Sequence, residues 1–169
     1  KTAIHIVNQS LLAFFERFRH APALFLNWTG HEAVTVSPLL RSVNAGFAAL
    51  AVGFLWKGPG PGASRAACLI ALIAVIAPLG WGHTYVMVLP LVVIQLSALK
   101  DAPPFTAVVI FVSVAAFMVP AGRHLPIDPA PGWLQNVVYS RYLFATIALM
   151  LNACARGRTT ESAPVISSA

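Results

Sequence analysis

The sequence predicts an all-α, polytopic membrane helical bundle, with about five transmembrane helices after an N-terminal interfacial amphipathic helix. Three observations predict it. Of 169 residues, 58% are hydrophobic and only 9% charged, where an ordinary soluble domain carries about 25% charge. The apolar residues form uncharged runs such as 66–79 (AACLIALIAVIAPL) and 84–99 (TYVMVLPLVVIQLSAL). Joined, those two runs would outreach a hydrocarbon layer of about 30 Å. Pro78, Gly80, Trp81 and Gly82 stand between them instead, the composition of a tight turn at a membrane surface.

Residues 8–20 (NQSLLAFFERFRH) open the ordered chain as a short amphipathic helix. Leu11, Leu12, Phe14, Phe15 and Phe18 gather on one face, with Glu16, Arg17, Arg19 and His20 on the other. Such a segment is too short to span and is expected to lie in the interface. Residues 1–37 therefore form an outer segment and 38–155 the transmembrane bundle. The spans run over 38–56, 64–79, 83–99, 105–120 and 135–155. The loop 57–65 (KGPGPGASR) separates the first pair, 100–104 (KDAPP) is a short turn, and the proline-rich 120–133 cannot continue a helix. Residues 156–169 read as a disordered cytoplasmic tail. The chain begins at Lys1 without a Met or a signal peptide and is read as the C-terminal piece of a longer protein.

The net charge of +6 points to anionic lipid headgroups and to topology signals. No basic cluster with interleaved aromatics suggests nucleic acid. Short-loop counting puts Lys57, Arg65, Lys100, Arg156 and Arg158 on the cytoplasmic side. The His83 turn, the proline-rich loop and the amphipathic helix then share the outer side. Cys68 and Cys154 lie within apolar runs without a CxxC partner and read as inert core residues.

The outer side collects Asn8, Gln9, Arg17, Arg19, His20, Arg41, His83, Tyr85, Arg123, His124, Asp128, Tyr139 and Arg141. Basic residues placed against the positive-inside tendency fit a lipid-linked phosphate or pyrophosphate, which guanidinium binds in bidentate fashion. Headgroup snorkelling is the plainer account of any one Arg. Arg41 and Arg141 stand out, because each lies inside an otherwise apolar helix end. His83 reads either as a phosphate donor or proton-transfer group, or as a turn residue in the aromatic belt beside Trp81 and Tyr85. Asp128, between Pro126 and Pro129, is a turn residue; Glu16 and Glu32 are surface and loop charges. No nucleotide-binding glycine loop, zinc-protease helix or Ser-His-Asp order is present. No metal-ligand cluster is visible, so metal dependence stays open.

The residues that carry a wider likeness are Asn8-Gln9-Ser10-Leu11, the short helix ending in Arg17 and Arg19, the turn Ala77-Pro78-Leu79-Gly80-Trp81-Gly82-His83, and Leu89-Pro90 in the helix it enters. Together with 139–152, they resemble glycosyltransferase family 87, bacterial polyprenol-phosphate-mannose-dependent mannosyltransferases of the GT-C class. The likeness extends over most of 5–155, with about a dozen specific residues. It implies a multi-pass enzyme of the bacterial cytoplasmic membrane. Such an enzyme moves a sugar from a polyprenyl-phosphate donor, its co-substrate, to a glycolipid or glycan acceptor on the outer face. It implies Asn8, Gln9, Ser10, Trp81 and His83 as site residues, and a catalytic carboxylate in an early outer loop outside this sequence. Thr84 stands where the family often has a second His and Ala77 where it often has Ser, so no two-histidine mechanism is implied.

The expected site is thus catalytic His83 with substrate-binding Asn8, Gln9, Ser10, Arg41, Trp81, Tyr85 and Arg141. The alternatives are a transporter or flippase for a lipid-linked substrate and a scaffold without chemistry. Polar residues at span ends rather than span centres favour the enzyme.

Overall fold

Lengths of apolar chain broken by Pro and Gly set the architecture, and the computed structural model describes residues 2–3, 10–19, 33–57, 62–77, 82–119 and 131–161 of it. Apart from one antiparallel pairing of two-residue strands, β1 (Thr2–Ala3) and β2 (Ala33–Val34), the described chain is helical. Helix α1 (Leu11–Arg17) starts at Ser10, whose Oγ accepts from the Ala13 N–H at 3.2 Å. Helix α2 (Pro38–Lys57) opens on a proline, which needs no N–H partner in a first turn. Helix α3 (Gly62–Ile76) follows the glycine-proline loop.

Next comes a 3-10 helix, Gly82–Val88, leading into α4 (Leu89–Ser97). Pro90 explains the change of helix type, since it has no N–H to give to Val86 and its ring crowds that carbonyl. A short 3-10 turn (Leu99–Asp101) precedes α5 (Pro104–Met118), which again begins on proline. Helix α6 (Gly132–Tyr139) and helix α7 (Arg141–Glu161) are separated at Ser140, and their axes differ by 58°.

Successive helices alternate in direction. Asn44, in the second turn of α2, donates to the last carbonyl of α3, Ile76 O, at 3.2 Å. Arg65, in the first turn of α3, donates back to Trp56 O at 3.4 Å. Arg141 at the start of α7 likewise reaches Val119 O, just past the end of α5, at 3.1 Å. One end of the molecule, the upper end, therefore holds the start of α2, the ends of α3 and α5, the 3-10 helix, and the α6–α7 break. Leu72, Leu91, Ile110, Leu143 and Leu149 fill the interior, and Ala67, Ala71 and Ala74 let neighbours approach α3 closely. The outside stays apolar: Leu39, Leu50 and Trp56 on α2, Val93 on α4, and Phe105, Phe111 and Met118 on α5 are all exposed.

Several expectations change in detail. Among the described residues only Pro38–Trp56 is a single helix long and apolar enough to cross a membrane. The Gly132–Tyr139 and Arg141–Arg156 pair qualifies only when taken together, because the expected last span is broken at Ser140. Helices α3 and α5, at 15 residues each, reach about 22 Å, short of about 30 Å. The tail expected to be disordered from 156 continues as helix to Glu161.

Helix α1 keeps part of its expected apolar face, with Leu11 and Leu12 buried and Phe14 packed on the core, but buries two of its charges as well. Glu16 and Arg17 are each only 1% exposed, while Phe15 and Phe18 are 38% and 51% exposed. Bundle polar groups that satisfy the two charges are the physical reason. Glu16 is therefore a buried group rather than a surface charge.

Near the lower ends of two expected spans, buried Gln95 and half-buried Asn152 form an amide pair. Gln95 Nε2 donates to Leu149 O at 3.2 Å, and Asn152 Nδ2 donates to Gln95 Oε1 at 3.0 Å, tying α4 to α7. Asn152→Leu alone is expected to cost about 1–2 kcal/mol by stranding the Gln95 oxygen. Gln95→Leu combined with it should cost less than the sum of the single changes. Denaturant unfolding of the four proteins in micelles measures the coupling. Cys68 and Cys154, on α3 and α7, are not joined by a disulfide, and their thiols lie against one another.

Candidate functional site

The upper end is organised by a guanidinium. Arg17 Nε donates to Asn136 Oδ1 at 2.7 Å and Arg17 Nη2 to Ser140 Oγ at 2.6 Å. Asn136 Nδ2 donates to Phe14 O at 3.1 Å, so the last turn of α1 is fastened to α6 from both directions. Asn136 and Ser140 are four residues apart and share one helix face. The Ser140 N–H is divided between Asn136 O and Val137 O at 3.0 and 3.1 Å, which ends α6 and lets α7 leave at an angle. Burial lowers the Arg17 pKa to about 9, with nearby Tyr85 acting in the opposite sense. Arg17 thus stays charged at neutral pH and does not titrate between about pH 5 and 8.

Around this centre the rings pack mostly edge to face, with Tyr85 tilted against Phe117. Phe14 meets Phe15, Phe18 and Phe144 at centroid distances of 5.4, 5.1 and 5.1 Å. Tyr85 meets Tyr142 at 5.5 Å and Phe117 at 6.1 Å. Tyr142 OH donates to Val119 O at 2.8 Å, and the Arg141 guanidinium lies 5.5 Å from the Tyr142 ring centre. Tyr85, Val88, Val92, Phe117, Met118 and Tyr142 are among the residues that border a cavity of about 240 Å³, directly below the 3-10 helix.

The sequence-predicted residues take different places. Asn8, Gln9 and Trp81 lie outside the described residues. Ser10 is buried as the α1 N-cap. His83 is the second residue of the 3-10 helix, two positions before buried Tyr85. Arg141 is half-buried and holds the end of α5. Arg41 is exposed on α2, one turn before Asn44. Ser10, Tyr85 and Arg141 thus join elements that meet at the upper end, whereas Arg41 points away from the packed interior.

Glu16 is engaged at both oxygens, accepting from Ser37 N–H at 3.2 Å and pairing with Arg19 at 3.3 Å. It pins the start of α2 to α1 and is not placed to act as a free base. Asn44 Oδ1 is buried with no hydrogen-bond partner among the described residues. Among those residues no group of three His, Cys, Asp or Glu side chains is arranged to hold a metal ion.

Arg17, Asn136 and Ser140 were visible in the sequence as polar residues but not as one cluster. The spacing of Asn136 and Ser140 in an apolar segment was the available signal, since two such residues on one face call for a polar partner. The chain was compared with family models, curated proteins and solved structures, and none of them matches it.

Proposed function

We propose that this chain is a multi-pass membrane bundle of about five spans and part of a glycosyltransferase of the bacterial cytoplasmic membrane. It transfers a sugar, mannose by the resemblance, from a polyprenyl-phosphate donor to a glycolipid or glycan acceptor on the outer face. One observation carries the reading: stretches distant in sequence that bear the resemblance meet at one end. Helix α1 is bonded to Asn136 and Ser140, and Tyr85 of the 3-10 helix packs on Tyr142 of α7.

The apolar exterior and the two exposed rings of α1 support the membrane part. Exposed Phe15 and Phe18 above a buried Arg17 suit a helix whose outer face meets lipid. Helices of about 22 Å are accommodated by local thinning and by snorkelling of flanking basic residues. The 3-10 helix and α4 together extend further, to about 27 Å, because a 3-10 helix rises about 2.0 Å per residue.

In the proposed reaction the acceptor hydroxyl attacks the anomeric carbon as the bond from that carbon to the phosphate oxygen breaks. The hydroxyl proton passes to a carboxylate of the early outer loop, and the lipid phosphate leaves as an anion. His83, Arg41 and Arg141 are assigned to stabilising that anion. Asn8, Gln9, Trp81 and Tyr85 are assigned to positioning the donor, and buried Ser10 to holding the start of α1 beside them.

A transporter or flippase is the second reading, favoured by the break at Ser140 and the 3-10 segment, since transporters bind at discontinuous helices. The break at Ser140 sits beside Val119, just past the end of α5 and away from mid-depth, which supports the enzyme. Topology is tested with exposed positions. Thr35→Cys should react with an impermeant maleimide in intact cells, and Asp101→Cys only after permeabilisation. Labelling of both from one side would contradict an odd number of crossings between them.

A further inference from the structure

The chain's two cysteines, more than eighty residues apart in sequence, meet in the fold. Cys68 lies on α3 three residues after Arg65, and Cys154 lies on α7 two residues before Arg156. Both therefore belong to the end of the bundle opposite the His83 turn. Helices α3 and α7 pack together, and Cys154 rests on the same apolar cluster that contains Cys68. Taken singly, each side chain is a small apolar group that fills its place in the core. Taken together they are a dithiol, because two sulfurs in contact on neighbouring helices need little backbone movement to bond.

The two thiols differ in access. Cys68 is 1% exposed, whereas Cys154 is half-buried and borders a groove of about 260 Å³ between α2 and α7. Thiol–disulfide exchange begins at the sulfur a reagent can reach. That makes Cys154 the entry thiol and Cys68 the one that resolves the intermediate.

We infer that Cys68 and Cys154 form a reversible dithiol–disulfide site that reacts with small-molecule disulfides and, once oxidised, joins α3 to α7. Cys154 gives up its proton and attacks one sulfur of the reagent. A mixed disulfide forms, and the other half of the reagent leaves and takes up that proton. Cys68 then gives up its proton and attacks Cys154 Sγ, so the Cys68–Cys154 bond forms as the mixed disulfide breaks. The second half of the reagent leaves as a thiol. Both cysteines are thereby oxidised, and one reagent disulfide is reduced to two thiols.

The bond closes a loop of more than eighty residues and so restrains the unfolded chain strongly. It also fixes together two helices that lead to the expected site: α3 runs up to the turn before His83, and α7 starts at Arg141. The inference rests on the packing of α3 against α7 and not on sugar transfer.

The test is oxidation of the full chain in neutral detergent with glutathione disulfide, read by mass spectrometry after the remaining thiols are alkylated. The unaltered chain should become a monomer with an internal disulfide and no free thiol, and dithiothreitol should restore both thiols. Its thermal midpoint, read by helicity, should rise by about 10 °C on oxidation. Cys68→Ala should stop at the mixed disulfide on Cys154, whereas Cys154→Ala should stay unmodified over the same time. Should Cys68→Ala lose helicity, Cys68→Ser carries the same expectation. Unreacted thiols, glutathione on both cysteines without the internal bond, or dimers cross-linked between chains would overturn the site. So would faster modification of Cys68 than of Cys154, or an internal bond with no rise in the midpoint.

Discussion

Replacing Arg17 with alanine should destabilise the folded protein by about 3 kcal/mol, the largest effect expected from any single side chain described here. The substitution removes two short bonds from a charged donor and leaves a void between α1 and α6. Hydrogen bonds to charged groups contribute about 1.5–3 kcal/mol each, offset in part by relief of guanidinium desolvation. Arg17→Met separates the causes. It keeps most of the volume, and Ser140 Oγ can still donate to Asn136 Oδ1, already 3.4 Å away. Its cost should be about 1 kcal/mol. Unfolding in mixed micelles, read by helicity, measures both. Equal losses for Ala and Met would show that the charged bonds, which both variants lose, hold α1, and not the filled volume that Met keeps.

That cluster also marks where the sequence stopped being informative. Helix starts were legible because Pro38, Pro104 and the glycine-proline loop act on the local backbone, whatever the rest of the chain does. The interruption before Thr84 was legible for the same reason, while its 3-10 form followed from Pro90, whose effect reaches back four residues. The inward side of Leu11 and Leu12 was legible, but the burial of Glu16 and Arg17 on α1 was not. Five of its apolar residues and its charges are close neighbours on a seven-residue helix, so periodicity cannot choose the inward face. The choice is made by Asn136 and Ser140, more than a hundred residues away. The bend at Ser140 was hidden likewise: the polar run 135–141 was plain, but it looked like one end of a continuous span.

Of the expected site, Ser10, Tyr85 and Arg141 fall where neighbouring elements converge, yet each has a structural task that the sequence did not reveal. Ser10 caps α1, Tyr85 fills an aromatic cluster, and Arg141 holds Val119 O. Long-range bonds of this kind have no local signature.

The second large effect is expected at His83. In the full-length protein, His83→Ala should reduce sugar transfer to background while leaving elution and helicity unchanged. It is the second residue of the 3-10 helix, and unchanged elution and helicity would separate loss of chemistry from loss of folding. Loss of one preorganised donor to a developing anion lowers turnover by about 10²–10³. His83→Gln, which keeps a donor but cannot titrate, divides the two proposed roles. Partial rescue points to phosphate binding, and no rescue points to proton transfer. Full activity in His83→Ala would remove this residue from the site.

The most direct test of the central claim is transfer of radiolabelled mannose from polyprenyl-phosphate mannose by membranes containing the full-length protein, with donor supplied to one face at a time. The account predicts labelled glycolipid or glycan when donor is present on the outer face, and background labelling with His83→Ala. Movement of the intact lipid-linked sugar between leaflets, without any transfer to an acceptor, would contradict it and establish the transporter reading in its place.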